Sequence, residues 1–278
     1  MTTADYYIQT LLDANPLREP VLRSAIQALQ LPFASHGLDV GCGIGLPAFL
    51  LAEAVGPEGH VTGMDILPEL LKFGENLAAR AGLSERVTFR EGDMWHLPFA
   101  EAAFDWAWSA DCVGYPAGNL SPLLEELVRV VKPGGRIVLL GWTSQQVLPG
   151  YPLLEARLNA TCSSYFPFLK DKAPELHFLR ALSCFRNAGL EAVEARTFVG
   201  DVRSPLTTGE QIALASLFQM LWGQPQPEVL PEDWTAYQRL CVPGSPDFIL
   251  NIPDYYAFFT HSMFLGRVPP RIIPKGPI

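Results

Sequence analysis

The sequence predicts an α/β fold, a doubly wound parallel sheet with helices on both faces. Three observations predict it. Over the first half, short apolar runs of strand length alternate with longer runs of helical periodicity, the pattern of successive βαβ units. The first strand runs straight into a glycine cluster, Gly41, Gly43 and Gly45, which opens a helix. A later strand, Arg136 to Leu140, shows no polar alternation in its apolar run, as expected when both faces are covered. The chain has 278 residues, 49% hydrophobic and 18% charged, so it can bury a large core and is not disordered.

The elements follow in order. Val21 to Gln30 reads as a helix and His36 to Val40 as a strand. Leu46 to Val55 is a helix stopped at Gly56-Pro57, and Val61 to Met64 is the second strand. Pro68 opens the next helix, where its missing N–H costs little. Leu70, Leu71, Leu77, Ala78 and Ala81 share one face of it and Gly82 ends it. Val87 to Phe89 and Phe104 to Ser109 are the third and fourth strands. Ser121-Pro122 starts a helix with Glu125 and Glu126 early in it, where carboxylates suit the helix dipole. Lys132-Pro133-Gly134-Gly135 breaks it before the fifth strand. The second half predicts a helix over Glu175 to Ala188, a strand over Leu190 to Val199, helices over Gly209 to Trp222 and Asp233 to Cys241, and a final strand over Tyr256 to Gly266.

Composition excludes several classes. Lys and Arg total 20 against 29 Asp and Glu, a net charge of −9, which disfavours a nucleic-acid backbone as partner. No apolar window reaches the ~18 residues a membrane span needs. The N-terminus has no basic region followed by a long apolar run, so no signal peptide is expected and the location reads as cytoplasmic. Cys42, Cys112, Cys162, Cys184 and Cys241 are scattered without a CxxC pair, consistent with reduced thiols. The five histidines are isolated, so no metal site is expected.

The chemistry concentrates in Leu38-Asp39-Val40-Gly41-Cys42-Gly43-Ile44-Gly45, between a strand and a helix, where glycines let a ligand approach the backbone. Gly43-x-Gly45-x-x-Ala48 nominally fits a dinucleotide fingerprint. Asp39 argues against that reading, because a carboxylate there repels a pyrophosphate and suits an ammonium. Asp65 ends the second strand, the roughly 20 residues after Gly45 at which an acid holds a ribose. Ile66 follows and can pack on a purine. Asp93, with Met94 beside it, closes the third strand, where a carboxylate suits the adenine amine.

These residues resemble the motifs of class I S-adenosylmethionine-dependent methyltransferases, of the type related to ubiquinone and menaquinone biosynthesis. LDVGCGIG resembles the first motif and VTGMDILPELL the acidic second. EGDMWHLPFAEAAFDWAWS resembles the third motif and fourth strand, and LLEELVRVVKPGGRIVLLGW the helix and turn before strand five. The likeness covers about residues 36–143. It implies a Rossmann-like, mostly parallel seven-stranded sheet whose last strand, Tyr256 to Gly266, is antiparallel. It implies S-adenosyl-L-methionine as cofactor, with Asp39, Gly41, Cys42 and Gly43 along the methionine part. Asp65 and Ile66 would then serve ribose and adenine, Asp93 and Met94 the adenine edge, and Ser109 the methionine carboxylate or transfer end. The implied domains are an N-terminal helical lid (1–35), a cofactor core (36–142), the rest of the sheet with helical cap insertions near 143–173 and 204–252 (143–268), and an extended tail (269–278).

Methyl transfer from a sulfonium is an in-line displacement that needs alignment and exclusion of water, and for some nucleophiles a base. Candidate bases are Asp111, after the fourth strand, and His96, with His177 and His261 further on. Tyr6 and Tyr7 are candidates for the lid. The insertions carry Tyr151, Tyr165, Phe166, Phe168, Phe218, Trp222, Trp234, Tyr237 and Phe248, which either line an acceptor pocket or form the cap's own core. The expected partner is a small-molecule methyl acceptor, with the chain a monomer or homodimer. The competing readings are a nicotinamide-dependent oxidoreductase and a cofactor-binding protein without transfer activity.

Overall fold

A computed structural model describes residues 3–112, 118–161, 172–224 and 227–270. Seven strands form one sheet: β1 (His36–Val40), β2 (His60–Asp65), β3 (Val87–Glu91), β4 (Phe104–Ala110), β5 (Val131–Gln146), β6 (Glu191–Arg203) and β7 (Tyr256–Arg267). Their order is β3-β2-β1-β4-β5-β7-β6. Strands β1 to β5 pair in parallel, and β7 runs antiparallel to both β5 and β6. Strand order reverses between β1 and β4, and such a switch point is where open α/β sheets bind ligands, outside the C-terminal strand ends.

Helix α1 (Thr3–Leu29) starts well before the expected Val21 and runs through Pro16 and Pro20. Each internal proline removes a ladder hydrogen bond. The buried side chains of α1 begin only at Leu17 and continue through Val21, Leu22, Ala25, Ile26 and Leu29, so packing and not propensity holds its second half. That half packs with α2 (Leu46–Ala54) on one face of the sheet, around Trp106, Trp108, Val138 and Met263. The helix α3 (Pro68–Arg80) follows β2. On the other face α4 (Ser121–Val130) and α6 (Ala181–Asn187) bury Leu123, Leu127 and Phe185 against Phe104, Leu139 and Phe264. A third cluster forms the cap, from α5 (Pro152–Ala160), α7 (Thr208–Trp222) and α8 (Pro231–Cys241), over Trp142 of β5 and Phe259 of β7.

Polar groups tie the cap to the sheet. Glu155 of α5 is buried and accepts the Val147 N–H at 2.8 Å and the Leu148 N–H at 3.0 Å. Trp142 Nε1 donates to Gln145, Gln145 donates to Asn159, and Trp222 Nε1 donates to the same Asn159 oxygen.

Three further elements differ from expectation. Strand β5 starts at Val131, and the Lys132 to Gly135 turn survives as a register shift within it, between the pairs Phe104/Val131 and Trp106/Arg136. The helix expected over Glu175 to Ala188 is shortened to α6. Two 3-10 turns precede it, Pro174–Leu176 and Phe178–Arg180, because His177 is extended and its side chain accepts the Leu179 N–H. Strand β6 continues to Arg203, because β7 keeps pairing with it to Tyr256. Among the described residues no helix is long and apolar enough to cross a membrane, and no three His, Cys, Asp or Glu side chains group as a metal site.

Candidate functional site

Asp39 sits at the switch point, in register with Gly63 of β2 and Trp108 of β4. It is 1% exposed, and its Oδ2 has no hydrogen-bond partner among the described residues. Burial, and next the charge of Asp65, push its carboxyl up to about 8, with Arg18 opposing. Buried polar groups are normally paired, so an orphaned carboxylate beside a glycine loop is shaped for a cationic ligand group.

The loop itself is internally satisfied. Gly41 and Cys42 donate their N–H groups to the Met64 carbonyl at 2.8 and 3.0 Å, Gly43 donates to Asp65 Oδ2 at 2.9 Å, and Gly45 to the Cys42 carbonyl at 2.9 Å. A pyrophosphate needs free amides, and these four are committed. Gly41, at φ +71°, has the Cys112 sulfur where a Cβ would stand, and Gly45, at φ +82°, has the Phe89 ring there. Close approach as well as turn geometry therefore requires glycine. The Cys42 side chain is buried toward Gly63 and the Gly43 carbonyl, and burial drives its thiol well above the ordinary range.

Asp65 accepts two backbone amides, Gly43 on Oδ2 and Leu67 on Oδ1 at 3.1 Å, which aim the carboxylate and leave it lone pairs for hydroxyls. Ile66 beside it is 60% exposed, apolar surface that a planar ring would cover. Asp93 accepts the Trp95 N–H at 2.9 Å and lies exposed after β3, with Met94 half-buried next to it. The Ser109 hydroxyl is turned inward, donating to the Val40 carbonyl at 2.8 Å, and the residue is 2% exposed.

Asp111 lies just past β4 in a left-handed conformation, φ +51°. Its Oδ1 accepts the Trp142 N–H at 2.7 Å, and its Oδ2 accepts Arg18 Nε at 3.1 Å and Nη2 at 2.8 Å. His261 Nε2 stands 3.5 Å from the same oxygen, an electrostatic contact too long for a well-formed hydrogen bond. Burial alone would raise this carboxyl, but Arg18 and then His261 outweigh it and hold it well below the usual range. A carboxylate held so low is a weak proton acceptor at neutral pH.

Of the other candidate bases only His261 reaches it. The His96 ring is largely exposed, 3.8 Å from Asp93. His177 is occupied in its turn. His261 is wholly buried behind Trp142 and Phe259. Tyr7 remains 45% exposed. Burial, then Asp65, Cys112 and Asp111, push its hydroxyl up, with Arg18 opposing.

Phe218, Trp222 and Tyr237 are buried in the cap's own core, with Phe218 stacked on Trp222 and Trp234 stacked on Tyr237. Tyr151 is 38% exposed. Tyr165, Phe166, Phe168 and Cys162 lie outside the described residues. Sequence reasoning missed Arg18 and Leu11. Neither belongs to a motif, and the one available signal was that the glycine-loop acids need a nearby cation.

A profile of the methyltransferase domain family matches residues 38–135. The chain is similar to a demethylmenaquinone methyltransferase of Geobacillus kaustophilus, 34% identical over 197 residues that cover 65% of this chain and 80% of the relative. In fold it is similar to the YcgJ protein of Bacillus subtilis, with a TM-score of 0.57 at 18% identity, covering 91% of this chain and 99% of that one. It is also similar to phosphoethanolamine N-methyltransferase 2 of Haemonchus contortus in complex with S-adenosyl-L-methionine, with a TM-score of 0.52 at 17% identity, covering 89% of this chain and 52% of that one.

Proposed function

Because this chain belongs to the class I S-adenosylmethionine-dependent methyltransferases, related to the quinone-biosynthesis type, we propose that it methylates an apolar or aromatic small molecule by in-line transfer. The cofactor is S-adenosyl-L-methionine, whose sulfonium supplies an activated methyl group and a neutral leaving group. The observation that carries the reading is the buried Asp39 carboxyl, whose Oδ2 has no partner among the described residues, beside a glycine loop whose amides are already occupied. That arrangement suits an amino-acid ammonium and not a diphosphate.

The other residues follow from chemistry. Asp65 receives the ribose hydroxyls and Ile66 covers one adenine face. Asp93 receives the adenine amine with Met94 beside it. Gly41 and Gly43 let the methionine chain lie against the backbone. The apolar acceptor is supported by the relative named for a quinone, demethylmenaquinone. Asp111 and His96 were the candidate bases; the pairing of Asp111 with Arg18 favours an anchoring role for it. An acceptor whose nucleophile is already an anion or a neutral amine requires no strong base.

Calorimetric titration with S-adenosylmethionine, S-adenosylhomocysteine, NADH and NADPH tests the cofactor. Binding of the adenosyl-sulfur ligands alone is expected. A methylation screen over quinols, phenols and amines then tests the acceptor. Transfer only to polar or charged acceptors would overturn the apolar assignment, and cofactor binding without transfer to any acceptor would favour a non-catalytic role.

A further inference from the structure

Arg136 of β5 is level with Trp106 of β4, and Trp106 with Gly37 at the start of β1. The glycine loop follows the other end of β1, so this end of the sheet lies away from it. Here α1 ends at Leu29, and a cavity of about 400 Å³ opens between the helix end and strands β5, β6 and β7. Arg136, Arg196 and Arg267 line it, with Glu194 as its carboxylate. The volume falls in the range of small-molecule clefts, about 300–1,000 Å³. Trp142, whose N–H holds Asp111, lies further along β5. At the rise of a strand it is about 20 Å from Arg136. A ligand in the cavity therefore touches neither the cofactor site nor the cap.

Two of the arginines serve the fold. Arg136 Nη1 donates to the Leu29 carbonyl, and Arg196 Nη1 to the Ala28 carbonyl at 3.1 Å, which satisfies the end of α1. Arg196 spends Nε and Nη2 on Glu194 Oε2, at 3.2 and 3.1 Å, so the cavity's carboxylate is already paired. Arg136 Nε and Nη2, and the whole Arg267 guanidinium, have no partner among the described residues. Arg267 stands directly opposite Arg136 in the β5–β7 ladder. Glu191 flanks it from β6 and forms no ion pair with it. Side chains so opposed share a face, with Cβ atoms about 4.5–5.5 Å apart, and like charges there are destabilising. Capping α1 does not call for Arg267 or for this pairing. Strand β6 also leaves register between Glu191 and Glu194, and Ala192 in that bulge lines the cavity at φ +47°. Bulges and strained residues of this kind gather beside binding sites.

We propose that Arg136 and Arg267 form a binding site for a phosphate group carried by a soluble small molecule, distinct from both the cofactor and the methyl acceptor. A phosphate dianion has oxygens for two guanidiniums, each offering paired donors. It converts the opposed charges from a cost into a contact. A monoanion compensates only one of them. The inference does not depend on the methyltransferase reading.

The test is calorimetric titration with inorganic phosphate and with glycerol phosphate, at ionic strength held constant with sodium chloride. Saturable one-to-one binding is expected. Arg267→Ala should weaken it about tenfold or more, the loss of a charge-assisted hydrogen bond. Arg267→Lys should recover part of it, keeping the charge without the planar fork. Glu191→Gln should bind phosphate at least as tightly as wild type. Phosphate should raise the melting temperature of wild type and not that of Arg267→Ala. If Arg267→Ala does not fold by circular dichroism, Arg267→Gln takes its place with the same expectation. No saturable binding by wild type overturns the proposal, and so does an unchanged affinity in the variant, which would mean an adventitious ion only. Capture by vesicles of phosphatidylcholine and phosphatidic acid in equal parts, with neither soluble phosphate bound, would overturn the soluble ligand in favour of a lipid headgroup. S-adenosylhomocysteine should bind Arg267→Ala as it binds wild type, so failure at this site and failure of the methyltransferase reading are told apart.

Discussion

Asp65 and Gly43 are joined by a 2.9 Å hydrogen bond from the loop amide to the carboxylate. The acid that ends β2 thereby fixes the loop that follows β1, and with its other oxygen the start of α3.

Asp65→Ala should weaken S-adenosylhomocysteine binding about tenfold or more, since hydrogen bonds to a charged group are worth about 1.5–3 kcal/mol each. Folding should lose less, on the order of 1 kcal/mol, because of the two freed amides Leu67 is exposed and only Gly43 is buried. Calorimetry and urea unfolding measure the two. Wild-type affinity in the variant would mean that the ribose lies elsewhere.

Asp39 should make cofactor binding proton-linked. Its carboxyl, pushed up to about 8, holds a proton at neutral pH in the free protein, and an ammonium partner favours its release. Affinity should rise from pH 6 to pH 8 (approximate limits) and proton release should be detectable in buffers of different ionisation heat, while Asp39→Asn should show neither effect. The unliganded fold has the opposite dependence. The raised carboxyl contributes stability fully below the unfolded value of about 3.9, and that contribution is lost as pH climbs toward 8. A pH-independent affinity would contradict the pairing of Asp39 with an ammonium.

Gly41→Ala should destabilise by about 2–4 kcal/mol, from left-handed backbone strain plus overpacking against Cys112. Adding Cys112→Ala should recover the share due to the sulfur and leave the backbone share, with the Cys112 Cβ still 2.9 Å from the new methyl. Thermal melts of the single and double variants separate them, and no recovery would mean that Cys112 is not the obstacle.

Glu155→Ala leaves the Val147 and Leu148 amides buried and unpaired. The expected loss is about 2–6 kcal/mol, from two groups at about 1–3 kcal/mol each. A loss under about 0.5 kcal/mol in urea unfolding would show that water replaces the carboxylate.

The sheet's first five strands and the glycine loop were legible because each is written in local pattern: apolar runs, helix-opening prolines and glycines at turns. The places of Asp39, Asp65 and Asp93, at or just past the ends of β1, β2 and β3, were legible because each follows an apolar run of strand length. The early reach of α1 was not, since Pro16 and Pro20 look like breakers and only packing from Leu17 onward overrides them. His177 ended a helix by capping a turn with its own ring, which periodicity does not register. Arg18 meets Asp111 across 93 residues, a pairing that exists only once α1 crosses the sheet. The cap aromatics carried no positional signal, so their burial in a separate core came from the fold alone.

Strand β7 pairs with β5 on one side and β6 on the other, yet it follows both in the chain. On the ribosome, the strands up to β5 can pair as they emerge. β6 cannot: it emerges before its one neighbour, β7, and α7 and α8 are made before Tyr256–Arg267 arrives. For that interval the nascent chain exposes a thirteen-residue unpaired strand, the kind of edge that templates association between chains. Glu191, Glu194, Arg196, Asp201 and Arg203 stud it with charge of both signs, which keeps such an edge from pairing with another chain until its own partner appears.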